Sequence, residues 1–327
     1  MLWIILAIAG YFFAATANIL DKYILSAKIQ QPSVYAFFVA VFSLFGFVFV
    51  PFGLRMMSAG MFAMAFVSGA LFVYGLVFFY KAVRESEISR TAPLLGTFMA
   101  LCALIYTFLV PFIAQFIFVF ANTTQPSQFS APHPETILAF WLLLIGGFLV
   151  AFDLPLRARD IIPGIRNTVS ASILLTASLI ILKYLYVSDG FVSGFVWSRL
   201  GVFFGGLSLL LIPTFRREII ASLHDTSQSR RAQLSIGMWF FANKIIATLG
   251  NLCLQYAIFL GPLVVVQALS GIQFAFVFLL ALPLSYRFPV FFQEKLFFND
   301  WVQKIVALTL IALGIYFSAQ GGVPLFV

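Results

Sequence analysis

Residues 80–100 read YKAVRESEISRTAPLLGTFMA, a short string of charges between two long apolar runs. The same skeleton returns, without its charges, as QYAIFLGPLVVVQALSGIQFA at residues 255–275. At one constant offset, the same residue type recurs in the two regions. The matching pairs are Gly75 and Gly250, Ala82 and Ala257, Leu94 and Leu269, Gly96 and Gly271, Ala100 and Ala275, and Leu104 and Leu279. Self-similarity at a fixed offset is typical of internal duplication, so we predict the same helix–turn–helix segment twice.

The composition predicts that lipid is the main solvent of this chain. Hydrophobic residues make up 62% of the sequence, and charged residues only 9%. A soluble domain carries about 25% charged residues, and a chain this apolar would expose large hydrophobic patches to water. The 42 phenylalanines supply bulk without hydrogen-bonding groups, which suits helices that face lipid.

Apolar runs divide the chain into membrane-spanning segments. A helix needs about 20 apolar residues to cross the hydrocarbon layer, and the pattern predicts about ten spans. The runs lie near residues 2–25, 33–54, 60–82, 90–111, 136–152, 169–187, 191–213, 234–257, 262–286 and 301–320.

Two further echoes extend the duplication to the whole chain. Ile19, Lys22 and Tyr23 pair with Ile180, Lys183 and Tyr184, and IGGFLVAF at residues 145–152 echoes ALGIYFSA at residues 312–319. We therefore predict an all-α integral membrane protein with two five-helix repeats, residues 1–152 and 169–327, joined by the charged segment 153–168. An odd number of spans inverts the second repeat, and inverted repeats around a central cavity are a transporter architecture.

Basic residues predict the orientation in the membrane. Of the 19 lysines and arginines, Arg55 alone lies clearly at one predicted face, Lys183, Arg199 and Lys244 lie inside spans, and the others gather at or near the opposite face. The positive-inside rule makes this basic face cytoplasmic and places both termini outside.

The paired segments YKAVRESEISRTAPLLG and QYAIFLGPLVVVQALSG, with Glu294 and the closing ALGIYFSA, resemble the EamA-like ten-helix transporters of the drug/metabolite transporter superfamily. The resemblance covers nearly the whole chain. It implies ten helices, inverted repeats, alternating access, and a place in the inner membrane of a bacterial cell. The family moves amino acids, other metabolites and, in related branches, nucleotide sugars and sugar phosphates, so membership does not choose the cargo.

Ionisable and polar residues within spans are the candidates for cargo binding, because charge is costly inside a membrane. Arg199 and Lys244 lie deep in their spans, and Lys183 and Lys22 lie nearer span ends at matching repeat positions. Their functional interpretation is a positive site for a carboxylate or phosphate; the alternative is that they bind backbone carbonyls, snorkel to headgroups or, for Lys22, contact Asp21. The candidate residues are Arg199, Lys244, Lys183, Lys22, Asn243, Asn251, Asn18 and Gln267, of which the amides are equally explained as links between helices.

The acidic residues predict how transport is driven. All of them, Asp21 included, are assigned to span ends or loops, whereas a proton-coupled pump commonly keeps a carboxylate at depth. We therefore expect facilitated diffusion or exchange. The expected cargo is an anionic or zwitterionic small molecule, with amino acids or related compounds first and phosphorylated sugars or nucleotide sugars second.

Other classes of protein fit the sequence less well. A membrane enzyme or a receptor-like subunit is the alternative, but no acidic or histidine groups are placed for acid–base or metal chemistry, so we expect no enzyme, no cofactor and no metal. Cys102 and Cys253 are interpreted as small buried apolar residues. The scattered basic charges predict contact with anionic lipid rather than nucleic acid. Gly201 and Gly205 form a GxxxG pattern that predicts close helix packing.

Overall fold

The computed structural model describes residues 2–27, 31–85, 91, 94–103, 105–106, 134–151, 164–224, 230–273, 275–277, 279–280 and 298–320. Most of the predicted joining segment and Glu294 lie outside these residues. The helices are α1 Leu2–Ala27, α2 Pro32–Phe42 with a 3-10 continuation Ser43–Phe52, α3 Ala59–Glu85, α4 Leu94–Ala103, α5 Pro134–Ala151, α6 Ile165–Asp189, α7 Phe191–Ser208 with a 3-10 end Leu209–Leu211, α8 Pro213–His224, α9 Arg230–Leu260, α10 Leu263–Ala268 and α11 Phe298–Gln320.

The described residues are almost entirely helical, and their long apolar helices are compatible with the predicted all-α membrane protein. Within the described part, five are long and apolar enough to cross a bilayer: Leu2–Asp21, Pro32–Phe52, Ala59–Glu85, Ile165–Asp189 and Phe191–Leu211. Large apolar side chains such as Phe52, Leu211 and Met238 are exposed on the bundle surface. Lipid solvates such side chains without the penalty that water would impose.

Helix α1 packs along α9, and the two run in opposite directions. Gly10 near the start of α1 lies beside Gly250 in the second half of α9. If Gly250 carried a Cβ atom, that atom would lie 3.1 Å from the Gly10 carbonyl oxygen. Asp21 near the end of α1 reaches Lys244, which lies earlier in α9. Small residues allow this close backbone approach, as they commonly do between helices in membranes.

Helix α3 packs along α6, also in opposite directions. The Ser68 hydroxyl donates a hydrogen bond of 2.9 Å to the Ser178 carbonyl oxygen, and the Ser178 hydroxyl donates one of 2.8 Å to the Ser68 carbonyl oxygen. At the other end of the pair, the Asn167 amide donates to the Glu85 carboxylate at 2.8 Å. The residue numbers fall along one helix as they rise along the other, which fixes the direction.

Helices α5 and α11 form a third antiparallel pair, and its contacts are reciprocal. A Cβ on Gly146 of α5 would lie 2.7 Å from the Ile311 side chain of α11. A Cβ on Gly314 of α11 would lie 2.6 Å from the Leu143 side chain of α5. Each helix thus offers a glycine to a branched side chain of the other.

Helices α3 and α7 run in the same direction, and their contact confirms the packing role of the GxxxG pattern. A Cβ on Gly201 would lie 2.5 Å from the Ala65 carbonyl oxygen, and one on Gly205 would lie 2.8 Å from the Ala70 Cα. Helix α7 also packs antiparallel to the span that begins with α2. Gly206 contacts Ala40, whereas Arg199, earlier in α7, contacts Ser43, later in that span.

Helix α8 is an element that the hydropathy pattern does not predict. Its 12 residues, PTFRREIIASLH, are too few and too charged to cross a bilayer. It packs beside α2, where the Ser33 hydroxyl donates a hydrogen bond to the Glu218 carboxylate. This helix connects α7 to α9 at the end of the bundle that carries Arg216 and Arg217.

Candidate functional site

The three cations that the sequence places inside spans are all buried, but each has its own surroundings. Lys183 on α6, Arg199 on α7 and Lys244 on α9 are each 8% exposed. Their contacts share no described residue. Since a cation without a local partner is the one free to bind cargo, the partners of each decide the candidate site.

Lys183 binds the end of helix α9. Its Nζ donates hydrogen bonds to the carbonyl oxygens of Ile258 at 2.8 Å, Phe259 at 3.2 Å and Gly261 at 3.1 Å. The last carbonyls of a helix have no partner within it, and a cation there also complements the helix dipole. Lys183 is therefore a capping residue of α9, which is the backbone-carbonyl alternative considered for this span.

Replacing Lys183 with methionine should lower stability and leave cargo recognition intact. Methionine keeps the apolar stem but leaves three carbonyls without a donor, at an expected loss of about 1–3 kcal/mol in the free energy of unfolding. Denaturation of the purified variant in detergent would measure this loss. A matched change in apparent cargo affinity, with stability unchanged, would contradict the capping role.

A chain of amides lies one turn before this cap. The Tyr186 hydroxyl donates to the Gln255 side-chain oxygen at 3.1 Å, and the Gln255 amide donates to the Asn251 side-chain oxygen at 3.4 Å. Gln255 is buried, whereas Asn251 is half-buried. This pattern joins α6 to α9 and matches the interhelical-link interpretation of Asn251.

Lys244 forms a buried ion pair with Asp21. The Lys244 Nζ lies 3.1 Å from the Asp21 Oδ1. The same oxygen accepts hydrogen bonds from the Asn243 amide at 2.5 Å and from the Tyr35 hydroxyl. The Lys244 Nζ also lies over the Tyr35, Phe240 and Tyr80 rings, at 4.5, 5.3 and 5.9 Å from their centroids. We call Asp21, Tyr35, Tyr80, Asn243 and Lys244 the Asp21 cluster.

The Asp21 cluster corrects the expectation that no acid is buried. Asp21 is the last residue of the span Leu2–Asp21, as the sequence predicts, but it is only 4% exposed and faces α2 and α9. The physical reason is the pairing: a cation and two neutral donors offset the desolvation of the carboxylate, so it can be buried at a span end. The predicted first span reached residue 25 and already contained Asp21, which was the available signal in the sequence.

Arg199 differs from Lys244 and Lys183: within the described part of the chain it has neither an acidic partner nor a bond to the carbonyls of a helix end. Its guanidinium carbon lies 4.5 Å from the Phe195 ring centroid and 5.8 Å from that of Phe72. Its Nε is buried and has no hydrogen-bond partner. Buried polar atoms are nearly always bonded, so this donor points to a missing acceptor.

The local backbone makes room for Arg199. A Cβ on Gly46 would lie 2.6 Å from the Arg199 Cγ, so the glycine provides the space for the arginine stem. The Ser43 hydroxyl donates a hydrogen bond of 3.0 Å to the Arg199 carbonyl oxygen and fixes α7 against the 3-10 segment of the second span. Neither residue was identified from the sequence, because only the packing of α2 on α7 brings them to Arg199.

The remaining candidates take different positions. Asn18 is half-buried on α1, one turn before Asp21, and Asn243 is fully buried in the Asp21 cluster. Gln267 is buried at the end of α10. Lys22 belongs to α1, but its side chain lies outside the described residues. Cys102 and Cys253 are free and only half-buried, less enclosed than the sequence interpretation expected.

Comparison with known proteins shows the fold but no family. No family model matches the chain, and no curated protein is significantly similar to it. Among solved structures 24 chains match. One crystal structure superposes with a TM-score of 0.56 over 98% of this chain and 98% of its own, at 11% sequence identity. At that identity the likeness concerns the fold alone, so function must be argued from the site.

Proposed function

We propose that this chain is a membrane transporter of small organic metabolites, with amino acids or related compounds as the first cargo class. It would work by alternating access around a site between two inverted five-helix halves, as the resemblance to EamA-like transporters implies. The observation that carries the proposal is the direction of the helices. Helix α2 opposes α7, and α5 opposes α11. Helix α9 meets the end of α3 at Lys244 and the end of α6 at its own last turn, so α3 opposes α9 and, through the antiparallel α1–α9 and α3–α6 pairs, α1 opposes α6. These are the pairs that the repeat makes equivalent, and inverted equivalents are a transporter architecture.

The contacts support the repeat in detail at the first two helix pairs. A Cβ on Gly250 would lie 3.1 Å from the Ala14 amide nitrogen, and one on Gly75 would lie 3.3 Å from the Leu175 amide nitrogen. Gly75 and Gly250 are repeat partners. Ala14 and Leu175 are separated by the same offset that pairs Lys22 with Lys183. The α1–α9 and α3–α6 contacts therefore correspond as the proposed repeat would require.

The reciprocal contact of α5 and α11 supports the same proposal and refines its register. Gly146 with Gly314, and Leu143 with Ile311, are separated by one common offset. This pairing differs by one residue from the alignment of IGGFLVAF with ALGIYFSA. A helix pair that exchanges equivalent contacts lies on the pseudo-two-fold axis of a duplicated structure.

Arg199 supports an anionic or zwitterionic cargo. It is the ninth residue of α7, about 12 Å along the helix at 1.5 Å per residue, near the middle of a hydrocarbon layer about 30 Å thick. A planar guanidinium suits a carboxylate, and the Phe72 and Phe195 rings would flank an apolar cargo body. Phosphorylated sugars remain the second choice, because a dianion favours several free cations and Lys183 and Lys244 are both engaged.

The Asp21 cluster removes the argument for facilitated diffusion or exchange, which depended on the absence of a buried acid. The mode of coupling therefore depends on what the buried Asp21 carboxylate does. In a bacterial cell the positive-inside rule would place the Asp21 end of the bundle toward the cytoplasm, beside the basic loops.

Counterflow in proteoliposomes tests the proposal. Vesicles are loaded with one unlabelled compound from a panel of amino acids, organic acids, sugar phosphates and nucleotide sugars, and uptake of the labelled compound is followed. Transient accumulation of the amino-acid or organic-acid class is the expected result. Tight binding of a compound without its accumulation, in protein shown to be folded, would instead support the receptor-like alternative.

A further inference from the structure

One hydrogen-bond acceptor of the Asp21 cluster, the Asn243 side-chain oxygen, is unused. Asn243 is fully buried, and its Nδ2 donates to the Asp21 Oδ1 at 2.5 Å. The Oδ1 of the same Asn243 amide is buried and has no hydrogen-bond partner among the residues that the structure describes. A buried amide with one half satisfied and the other half empty is unusual, because an unpaired buried acceptor costs free energy.

A carboxylic acid is the group that would satisfy both halves of this amide. An amide and a protonated carboxyl group form a cyclic pair, in which the amide N–H donates to one carboxyl oxygen and the carboxyl O–H donates to the amide oxygen. The first of these bonds is already present between Asn243 and Asp21. A proton on the second oxygen of Asp21 would supply the other bond and fill the empty acceptor.

We propose that Asp21 is a proton-binding site that couples transport to the proton gradient. Protonation adds H⁺ from the aqueous phase to the Asp21 carboxylate, and the new O–H donates to the Asn243 side-chain oxygen. The reverse step returns the proton to water. The Asp21 side chain keeps 6% of its surface exposed. The coupling rests on the proposed transport function, whereas the proton site does not.

The neighbours of Asp21 give protonation a structural consequence. The titratable or charged groups of the described residues that face it are Tyr35 from α2, Tyr80 from α3 and Lys244 from α9. Neutral Asp21 no longer balances the charge of Lys244, so the ion pair that joins α1 to α9 is lost. Because α1 and α9 belong to opposite halves of the proposed repeat, proton binding would favour their separation at this end.

Infrared difference spectroscopy of the purified protein tests the proton site without any cargo. We expect the C=O stretch of a protonated carboxyl group to appear on acidification and to disappear when the pH is restored. The signal should be absent from Asp21→Asn. It should be retained in Glu218→Gln, because Glu218 is a carboxylate on α8 that bonds Ser33 on α2 and lies outside the Asp21 cluster. Lys244→Met should shift the signal to higher pH, because the counter-charge that favours the ionised carboxylate is gone.

Proteoliposomes then test the coupling. With an imposed pH gradient the wild type should accumulate cargo. The double variant Asp21→Asn/Lys244→Met, which leaves no unpaired buried charge, should lose this accumulation while it retains counterflow. Absence of an Asp21 signal in the infrared titration would overturn the proton site, whatever the cargo. Counterflow that is present but indifferent to the gradient in the wild type would overturn the coupling and leave the transport function standing.

Discussion

Replacing Arg199 with glutamine should abolish recognition of anionic cargo. Removing one partner of a buried charge pair costs about 2–5 kcal/mol, which corresponds to an affinity roughly 30-fold to several thousand-fold weaker. Glutamine keeps a donor at the site but cannot supply charge or the planar fork. The measurement is the concentration of cargo that gives half-maximal counterflow in proteoliposomes.

The stability of the same variant separates a cargo site from a structural role. Arg199 has no acidic partner among the described residues, so Arg199→Gln should unfold no earlier than the wild type. Arg199→Lys should recover part of the affinity, because it restores charge without the fork. The matched control is Arg55→Gln, the same replacement at an exposed arginine near the face that is predicted to lie opposite the basic loops. A variant at Arg199 that unfolds early yet transports normally would sink the assignment.

The helices that the sequence predicts best are those with long apolar runs. The apolar runs of α1, α3, α6 and α7 are long and uninterrupted, so hydropathy alone locates them within a few residues. Gly75 and Gly250 also carry information about packing, because each lies where two backbones approach closely. Helix α8 is missed, since its short charged sequence lacks the apolar length on which the prediction depends.

The partners of the buried cations could not be predicted in the same way. Sequence identifies Lys183, Arg199 and Lys244 as three similar intramembrane charges. Their differences depend on which helix lies opposite: the end of α9 for Lys183, the 3-10 segment of the second span for Arg199, and α1 for Lys244. Those neighbours follow from interhelical register, which a single sequence does not contain.

Asp21 shows that a position at a span end does not decide whether a side chain is buried. The sequence places Asp21 near the end of the first apolar run together with the other acidic residues at span ends or in loops, and facilitated diffusion or exchange was expected from that set. The antiparallel register of α1 on α9 brings Asp21 to Asn243 and Lys244, which bury it.

A double-mutant cycle at Asp21 and Lys244 should show single variants that are strongly destabilised and a double variant that is not. Breaking a buried ion pair leaves one charge uncompensated and costs about 3–5 kcal/mol. Asp21→Asn leaves Lys244 as an unpaired buried cation, and Lys244→Met leaves Asp21 as an unpaired buried carboxylate. With both replaced, no buried charge remains, and the free energy of unfolding should return to within about 1–2 kcal/mol of the wild type.

The cycle also separates the stability of the Asp21 cluster from its proposed role in coupling. Unfolding in mixed detergent measures the stability of each variant, with Glu218→Gln as a carboxylate control on α8. The stable double variant should show counterflow and yet ignore an imposed pH gradient, because it lacks the carboxyl group that takes up the proton. If the loss of stability in the double variant equals the sum of the losses in the two single variants, Asp21 and Lys244 do not interact energetically. Gradient-driven accumulation in the double variant would place the coupling proton on another residue.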